Sequence, residues 1–263
     1  MSGRVAWRWG EVDAVDEEGG EALRLVHALE PAELWVRRGR LFRGQGYATA
    51  TRRARQELAR TGAIVRLRER GRYFMHAAGA VDPLGRAWLL AGDSGSGKST
   101  LGYALSRAGW TILGDDGVVL ELAESRVMVH PWRAPLQVSS ALSDDFPELK
   151  TSPRTLADPT PLEPAPLDPR RRFGVVPSAA ACAPAVAVVF LQRGFCCEMT
   201  RLDGADALAA MIRQSPWVIL RDAASAAHLE SLRRAGTLVP VFRLTHTPAQ
   251  LRSIADVLAK AVA

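Results

Sequence analysis

Residues 92–100 read Gly92-Asp93-Ser94-Gly95-Ser96-Gly97-Lys98-Ser99-Thr100, and this stretch decides how the rest of the chain is read. It fills the phosphate-loop (Walker A) template G-x-x-x-x-G-K-[ST], with Gly92, Gly97, Lys98 and Ser99 at the four fixed places. Glycines let backbone N–H groups turn inward around a phosphate chain. A Lys at this place reaches the β- and γ-phosphates, and the following hydroxyl ligates Mg²⁺. All nine residues are therefore candidate nucleotide contacts, with Ser99 also a metal ligand.

The flanks agree with the loop. Ala87-Trp88-Leu89-Leu90-Ala91 is an apolar run that predicts a buried strand, and Ser99 to Ala108 predicts a helix with Leu101 and Leu105 one turn apart. Gly109 suits the end of that helix. A Gly/Ser-rich linker has no reason to place a Lys between a buried strand and a helix. Of the 34 basic residues only Lys98, Lys150 and Lys260 are Lys, and the rest are Arg. The chain thus keeps a thin-stemmed point charge, rather than a planar fork, inside the loop.

At 263 residues, the chain suits one large domain or one domain with an N-terminal appendage. No apolar stretch reaches the roughly 20 residues of a membrane span. The N-terminus is polar and acidic, without a signal-peptide core. Cys182, Cys196 and Cys197 have no metal-binding spacing and read as reduced, buried thiols of a cytoplasmic protein. The net charge of +6 raises the question of nucleic acid. The Arg clusters at 37–40, 52–55 and 170–172 match no nucleic-acid module and lack interleaved aromatics. A basic surface for an acidic partner, or a solvated face, fits them better.

Residues 1–65 predict a small N-terminal α+β region, with strands near 5–15, 22–29 and 33–42 and an Arg-rich helix over 49–61 that ends near Gly62. A further short strand is expected over 63–70. The main domain is expected over 66–263. There, an apolar run over 73–81 and the turn Asp82-Pro83-Leu84-Gly85 predict a hairpin leading into the loop. Six prolines within 151–170 predict a long connection ending in Arg170-Arg171-Arg172. Strands near 184–192 and 240–245, and helices near 206–213, 223–235 and 248–262, complete the reading.

Asp115 and Asp116 follow Lys98 by seventeen and eighteen residues, at the end of the apolar strand after the loop helix. Adjacent carboxylates there allow one to hold Mg²⁺ and the other to take a proton from an attacking hydroxyl. Gly-Asp-Asp-Gly is also good turn chemistry.

The run from Met75-His76-Ala77-Ala78-Gly79 through the loop to Ala108-Gly109-Trp110 and Gly114-Asp115-Asp116 resembles the HPr serine kinase/phosphorylase family. It resembles more closely the short HPr-kinase-like proteins of bacterial peptide-modification clusters. Order and spacing agree over residues 73–120, and residues 238–244 resemble the closing strand of the short relatives. The resemblance implies an α/β fold, a P-loop kinase core of HPr-kinase type. It implies ATP and Mg²⁺ as cofactors and a peptide or protein Ser as acceptor. It also implies Asp115 as the base, Asp116 beside Ser99 at Mg²⁺, and His76 near the transferring phosphoryl group. The bifunctional family's C-terminal signature is not recognised after residue 130, so the resemblance does not extend to HPr as acceptor, the reverse reaction or a hexamer. A small-molecule hydroxyl kinase and a nucleotide-dependent switch or ATPase share the same loop and stay open as alternatives. A homo-oligomer stays open too, while neither specific nucleic acid nor membrane is expected as a partner.

Overall fold

The computed structural model describes residues 5–17, 22–132, 136–139, 172–175, 182–220, 222–247, 250, 254 and 258. The chain is mixed α/β and divides into two units. Unit 1 is Met1–Phe74 with Ser215–Arg234, and unit 2 is Met75–Gln214 with Ala235–Ala263. The sequence places the break at 65/66; in the structure that position lies inside a helix.

In unit 1, β1 (Val5–Trp9), β2 (Val12–Glu17), β3 (Ala22–His27), β4 (Glu33–Arg37) and β5 (Arg40–Arg43) form an antiparallel meander in chain order. Period-2 patterning sets its faces: Leu34 and Val36 are buried while Glu33, Trp35 and Arg37 are not. The helix α1 (Arg52–Arg68) packs on β3 and β4. It buries Ala54, Leu58, Thr61, Ile64, Val65 and Arg68 at helical spacing. The expected helix end near Gly62 and the strand over 63–70 are thus corrected. Gly62 lies within α1, where a Cβ would meet Leu34 Cδ2 and Leu41 Cδ2, each at 2.9 Å. It is a close-packing glycine, and α1 absorbs the β-branched pair Ile64-Val65 into its buried face.

Ring and hydrogen-bond contacts explain why 215–234 belongs to unit 1. The Trp217 ring lies 4.2 Å from that of Trp7. The fully buried Arg68 forks onto Asp222, with Nη2 donating to Oδ1 at 3.0 Å. Arg68 Nε also donates to His228 Nδ1 at 3.3 Å. His228 Nε2 then donates to Ser215 Oγ at 2.9 Å, and Ser215 donates to the Phe74 carbonyl at 2.6 Å. Every polar atom in that relay has a partner, as burial demands.

β6 (Arg72–Met75) carries the chain from unit 1 to unit 2. Unit 2 holds a mixed sheet of β7 (Ala77–Val81), β8 (Ala87–Ala91), β9 (Thr111–Gly114), β10 (Val118–Ala123), β11 (Arg126–Pro131), β14 (Ala183–Arg193), β15 (Glu198–Arg201) and β16 (Val241–His246). A separate pair is β12 (Leu136–Ser139) with β13 (Arg172–Val175). β10-β11-β14-β8-β7-β9 lie side by side in that order, and β16 joins β14 further along its length. β8 and β16 both run parallel to β14, which makes a three-stranded parallel centre. Such strands are buried on both faces and read as continuous apolar runs, as Ala87–Ala91 does. The unit's helices with described bounds are α2 (Lys98–Arg107), α3 (Gly204–Gln214) and α4 (Ser225–Leu238), the last crossing the unit boundary. Leu101 and Leu105 of α2 pack with Trp88, Leu90, Val189 and Leu244 in one core cluster.

The hairpin into the loop is the expected one: β7 pairs β8 around Asp82–Gly85. The proline-rich segment over 151–170, with Arg170 and Arg171, lies outside the described residues. So does most of the expected C-terminal helix, of which Ile254 and Leu258 are helical and buried. The three cysteines are exposed rather than buried, because Cys182 precedes β14 and Cys196-Cys197 occupy the turn before β15.

Candidate functional site

β8 ends at Ala91, and α2 begins at Lys98 with Gly97 as its N-cap. Gly97 has φ +106 and ψ 8, a left-handed conformation that a Cβ disfavours. A Cβ there would also sit 3.1 Å from His246 Cε1. No side chain caps the helix, so its first-turn amides and the positive end of its dipole face the loop interior. Ser96 Oγ is buried and has no hydrogen-bond partner among the described residues. A buried polar atom without a partner is costly, and this one lies against Gly92, where a Cβ would meet it at 2.7 Å.

Lys98 is buried and folds back onto its own loop. Its Nζ donates to the Gly92 carbonyl at 2.7 Å and to the Asp93 carbonyl at 3.1 Å. Burial pushes the Lys98 ammonium below its usual pKa, against the raising pull of Asp116, Asp115 and Asp93. The three carboxylates and the ammonium therefore share one electrostatic site.

The carboxylate pair joins β9 to β10, as its spacing predicts. The two side chains differ sharply. Asp115 is 2% exposed, whereas the Asp116 side chain is 60% exposed. His76, between β6 and β7, places Nε2 3.2 Å from Asp116 Oδ1. The His76 amide is fixed by the Gln214 carbonyl at 2.7 Å. The structure thus brings His76, Asp115, Asp116 and Lys98 of the expected residues into one neighbourhood.

His246, at the end of β16, is a residue the sequence reading missed. Its buried ring lies under the loop, with Nε2 donating to the Ser96 carbonyl at 2.9 Å. The two residues are 150 positions apart, and no local pattern marks the contact. His130 is occupied within its hairpin: Nε2 lies 2.6 Å from Glu121 Oε2.

Among the described residues, one cluster has the composition of a metal site. In unit 1, Glu11, His27 and Glu57 bring ligand-type atoms within 4.8 Å of one another. The hydrogen bonds argue against a cation there. Leu29 N and Glu30 N both point at His27 Nδ1, at 3.3 and 3.2 Å, so the ring proton rests on Nε2. That Nε2–H points at Glu57 Oε2, 3.1 Å away, and Arg53 donates to both carboxylates. The cluster is a closed hydrogen-bond network.

No family model matches this chain, and no curated protein sequence does. Among solved structures, the Hpr(Ser) kinase/phosphatase from Coxiella burnetii is similar at 11% identity with a TM-score of 0.33, over 72% of this chain and 94% of that one. No helix among the described residues is long and apolar enough to cross a membrane.

Proposed function

We propose that this protein is a phosphate-loop kinase, with residues 92–100 binding ATP and the carboxylates beside them serving transfer of the γ-phosphoryl group to a hydroxyl. The observation that carries this reading is Lys98, buried and turned onto the Gly92 and Asp93 carbonyls beneath an uncapped helix N-terminus. A lysine so held needs an anion to draw it outward, and the loop amides and the buried Ser96 hydroxyl supply the remaining donors.

Mg²⁺ fits a hydroxyl and carboxylate donor set, so Ser99 and the buried Asp115 would hold it; when bound, it neutralises phosphate charge. Asp116 is the better proton acceptor: it is exposed to an incoming hydroxyl and held by His76. This exchanges the roles that the family resemblance implies for the two carboxylates. Lys98 follows the β- and γ-phosphates, and the loop amides orient them, so catalysis is positioning with charge stabilisation.

The acceptor we propose is a Ser hydroxyl in a peptide or protein, on the strength of the motif resemblance over 73–120 and the basic charge of the chain. Incubation with labelled ATP, Mg²⁺ and either peptides or free sugars and amino acids tests it. Label on peptide Ser supports the reading. Label on metabolites alone makes it a small-molecule kinase, and label released only as phosphate makes it an ATPase or switch.

A further inference from the structure

The excess positive charge of the chain is not shared between its units. Unit 1 holds 18 Arg against 12 carboxylates, whereas unit 2 holds 16 basic and 16 acidic residues. The whole net charge of +6 therefore belongs to unit 1. Several of its Arg are neutralised locally. Arg8 pairs with Asp13, Arg24 with Glu17 and Glu33, Arg53 with Glu11 and Glu57, and Arg68 with Asp222.

Three Arg are treated differently, and they line one open cavity of about 490 Å³ between the end of β5 and the first turns of α1. Arg43, Arg52 and Arg55 share its wall with Tyr47 and Gln56. Arg43 lies over the Tyr47 ring at 5.7 Å, and Arg55 Nη1 donates to the Ala48 carbonyl at 3.0 Å. None of the three pairs with a carboxylate among the described residues. Glu30, which reaches this end of α1, is spent on the Thr51 amide at 2.8 Å and on the Thr51 hydroxyl.

The placement runs against local helix preference. The first turn of α1 has no acidic residue and carries Arg52, Arg53 and Arg55, although the positive end of a helix dipole favours acids. The helix amides are not the attraction, since Ala54 N is already capped by Thr51 Oγ1 and Arg55 N by the Thr51 carbonyl. Arg53 is compensated by Glu11 and Glu57, but Arg52 and Arg55 meet no carboxylate among the described residues, and a local rule broken in this way points to a demand from outside the fold.

We propose that this cavity binds an acidic segment of a polypeptide, its Asp or Glu side chains received by the forks of Arg43, Arg52 and Arg55. Paired guanidinium N–H groups match a carboxylate, and the cavity has room for several side chains. Single-stranded nucleic acid fits less well. The neighbouring rings of Tyr47 and Phe42 are each faced by a guanidinium, which leaves poor platforms for base stacking. A concavity also does not lie flat on a bilayer. The site belongs to unit 1 and does not depend on phosphoryl transfer by residues 92–100.

Fluorescence anisotropy of a labelled Glu-rich peptide with the full chain tests this. The unaltered protein binds it, and binding weakens as salt is raised. Combined Arg43→Gln, Arg52→Gln and Arg55→Gln weakens it by about tenfold or more. A charge-matched control, Arg8→Gln with Arg53→Gln and Arg233→Gln, weakens it by less than about threefold. Arg52→Glu alone separates binding from folding, because an acid suits that helix end: the melting temperature holds or rises while peptide affinity falls. No binding by the unaltered chain overturns the proposal. So does equal weakening by the two triple variants, a loss of affinity in Arg52→Glu matched by a loss of stability, or tighter binding of an oligonucleotide or phosphatidylserine vesicle of equal charge.

Discussion

His76 Nε2 lies 3.2 Å from Asp116 Oδ1, joining two residues 40 positions apart. An exposed carboxylate held by an imidazole has a fixed direction, and under the proposed function it would give an arriving hydroxyl an oriented proton acceptor. The neighbouring Asp115, buried beside the same site, has no such access to solvent.

The two carboxylates should therefore separate by substitution. Asp116→Asn and His76→Ala each leave ATP affinity close to that of the unaltered protein, while transfer falls by about 10²-fold for Asp116→Asn. Asp115→Asn instead raises the Mg²⁺ concentration needed for half-maximal rate. Single-turnover rates measured across a Mg²⁺ series distinguish the two. A Mg²⁺ shift in Asp116→Asn and a rate loss without one in Asp115→Asn would restore the roles implied by family resemblance.

His246 braces the loop through the Ser96 carbonyl, and Gly97 leaves room for its ring. His246→Ala should weaken ATP binding by several-fold while the melting temperature changes little. Gly97→Ala, strained at φ +106 and pressed against His246, should lose ATP binding altogether. Nucleotide titrations followed by calorimetry check both.

Unit 1 depends on Arg68, whose guanidinium is fully buried and forks onto Asp222. Asp222→Ala leaves that charge without its counterion and should cost about 3–5 kcal/mol in denaturant unfolding. An unchanged unfolding midpoint would show that the pair is not needed.

His228 gives the same unit a pH dependence. Burial, and to a lesser degree the Arg68 charge, push its pKa from 6.5 down to about 3. The folded state keeps the ring neutral while the unfolded chain takes up a proton below pH 6.5. This contribution to stability is thus complete above pH 6.5 and is lost progressively as pH falls toward 3. The slope is about 1.4 kcal/mol per pH unit for one proton. Melting temperatures between pH 7 and 5, above most carboxylate titrations, should fall in the unaltered protein and flatten in His228→Gln.

Contiguous features were legible in the sequence. The nine loop residues, their flanking strand and helix, the 82–85 hairpin and the Asp115-Asp116 junction each lie within a short window, where periodicity and spacing carry the signal. Features set by distant partners were not. Gly62 after a basic helix looks like a terminus, and only Leu34 and Leu41, close against it, explain a glycine inside α1. Residues 215–234 join unit 1 through Trp7 and Arg68, contacts that no local pattern announces. His246 and Ser96 meet across 150 residues for the same reason.

The proposed function rests on residues 92–100 as a nucleotide site, and calorimetric titration of Mg·ATP into the protein and its Lys98→Ala variant tests it most directly. The unaltered protein should bind ATP with unit stoichiometry. Lys98→Ala, folded by circular dichroism, should bind it at least several-fold more weakly and transfer no phosphate. Equal ATP affinity in the two proteins, or none in either, would contradict the account.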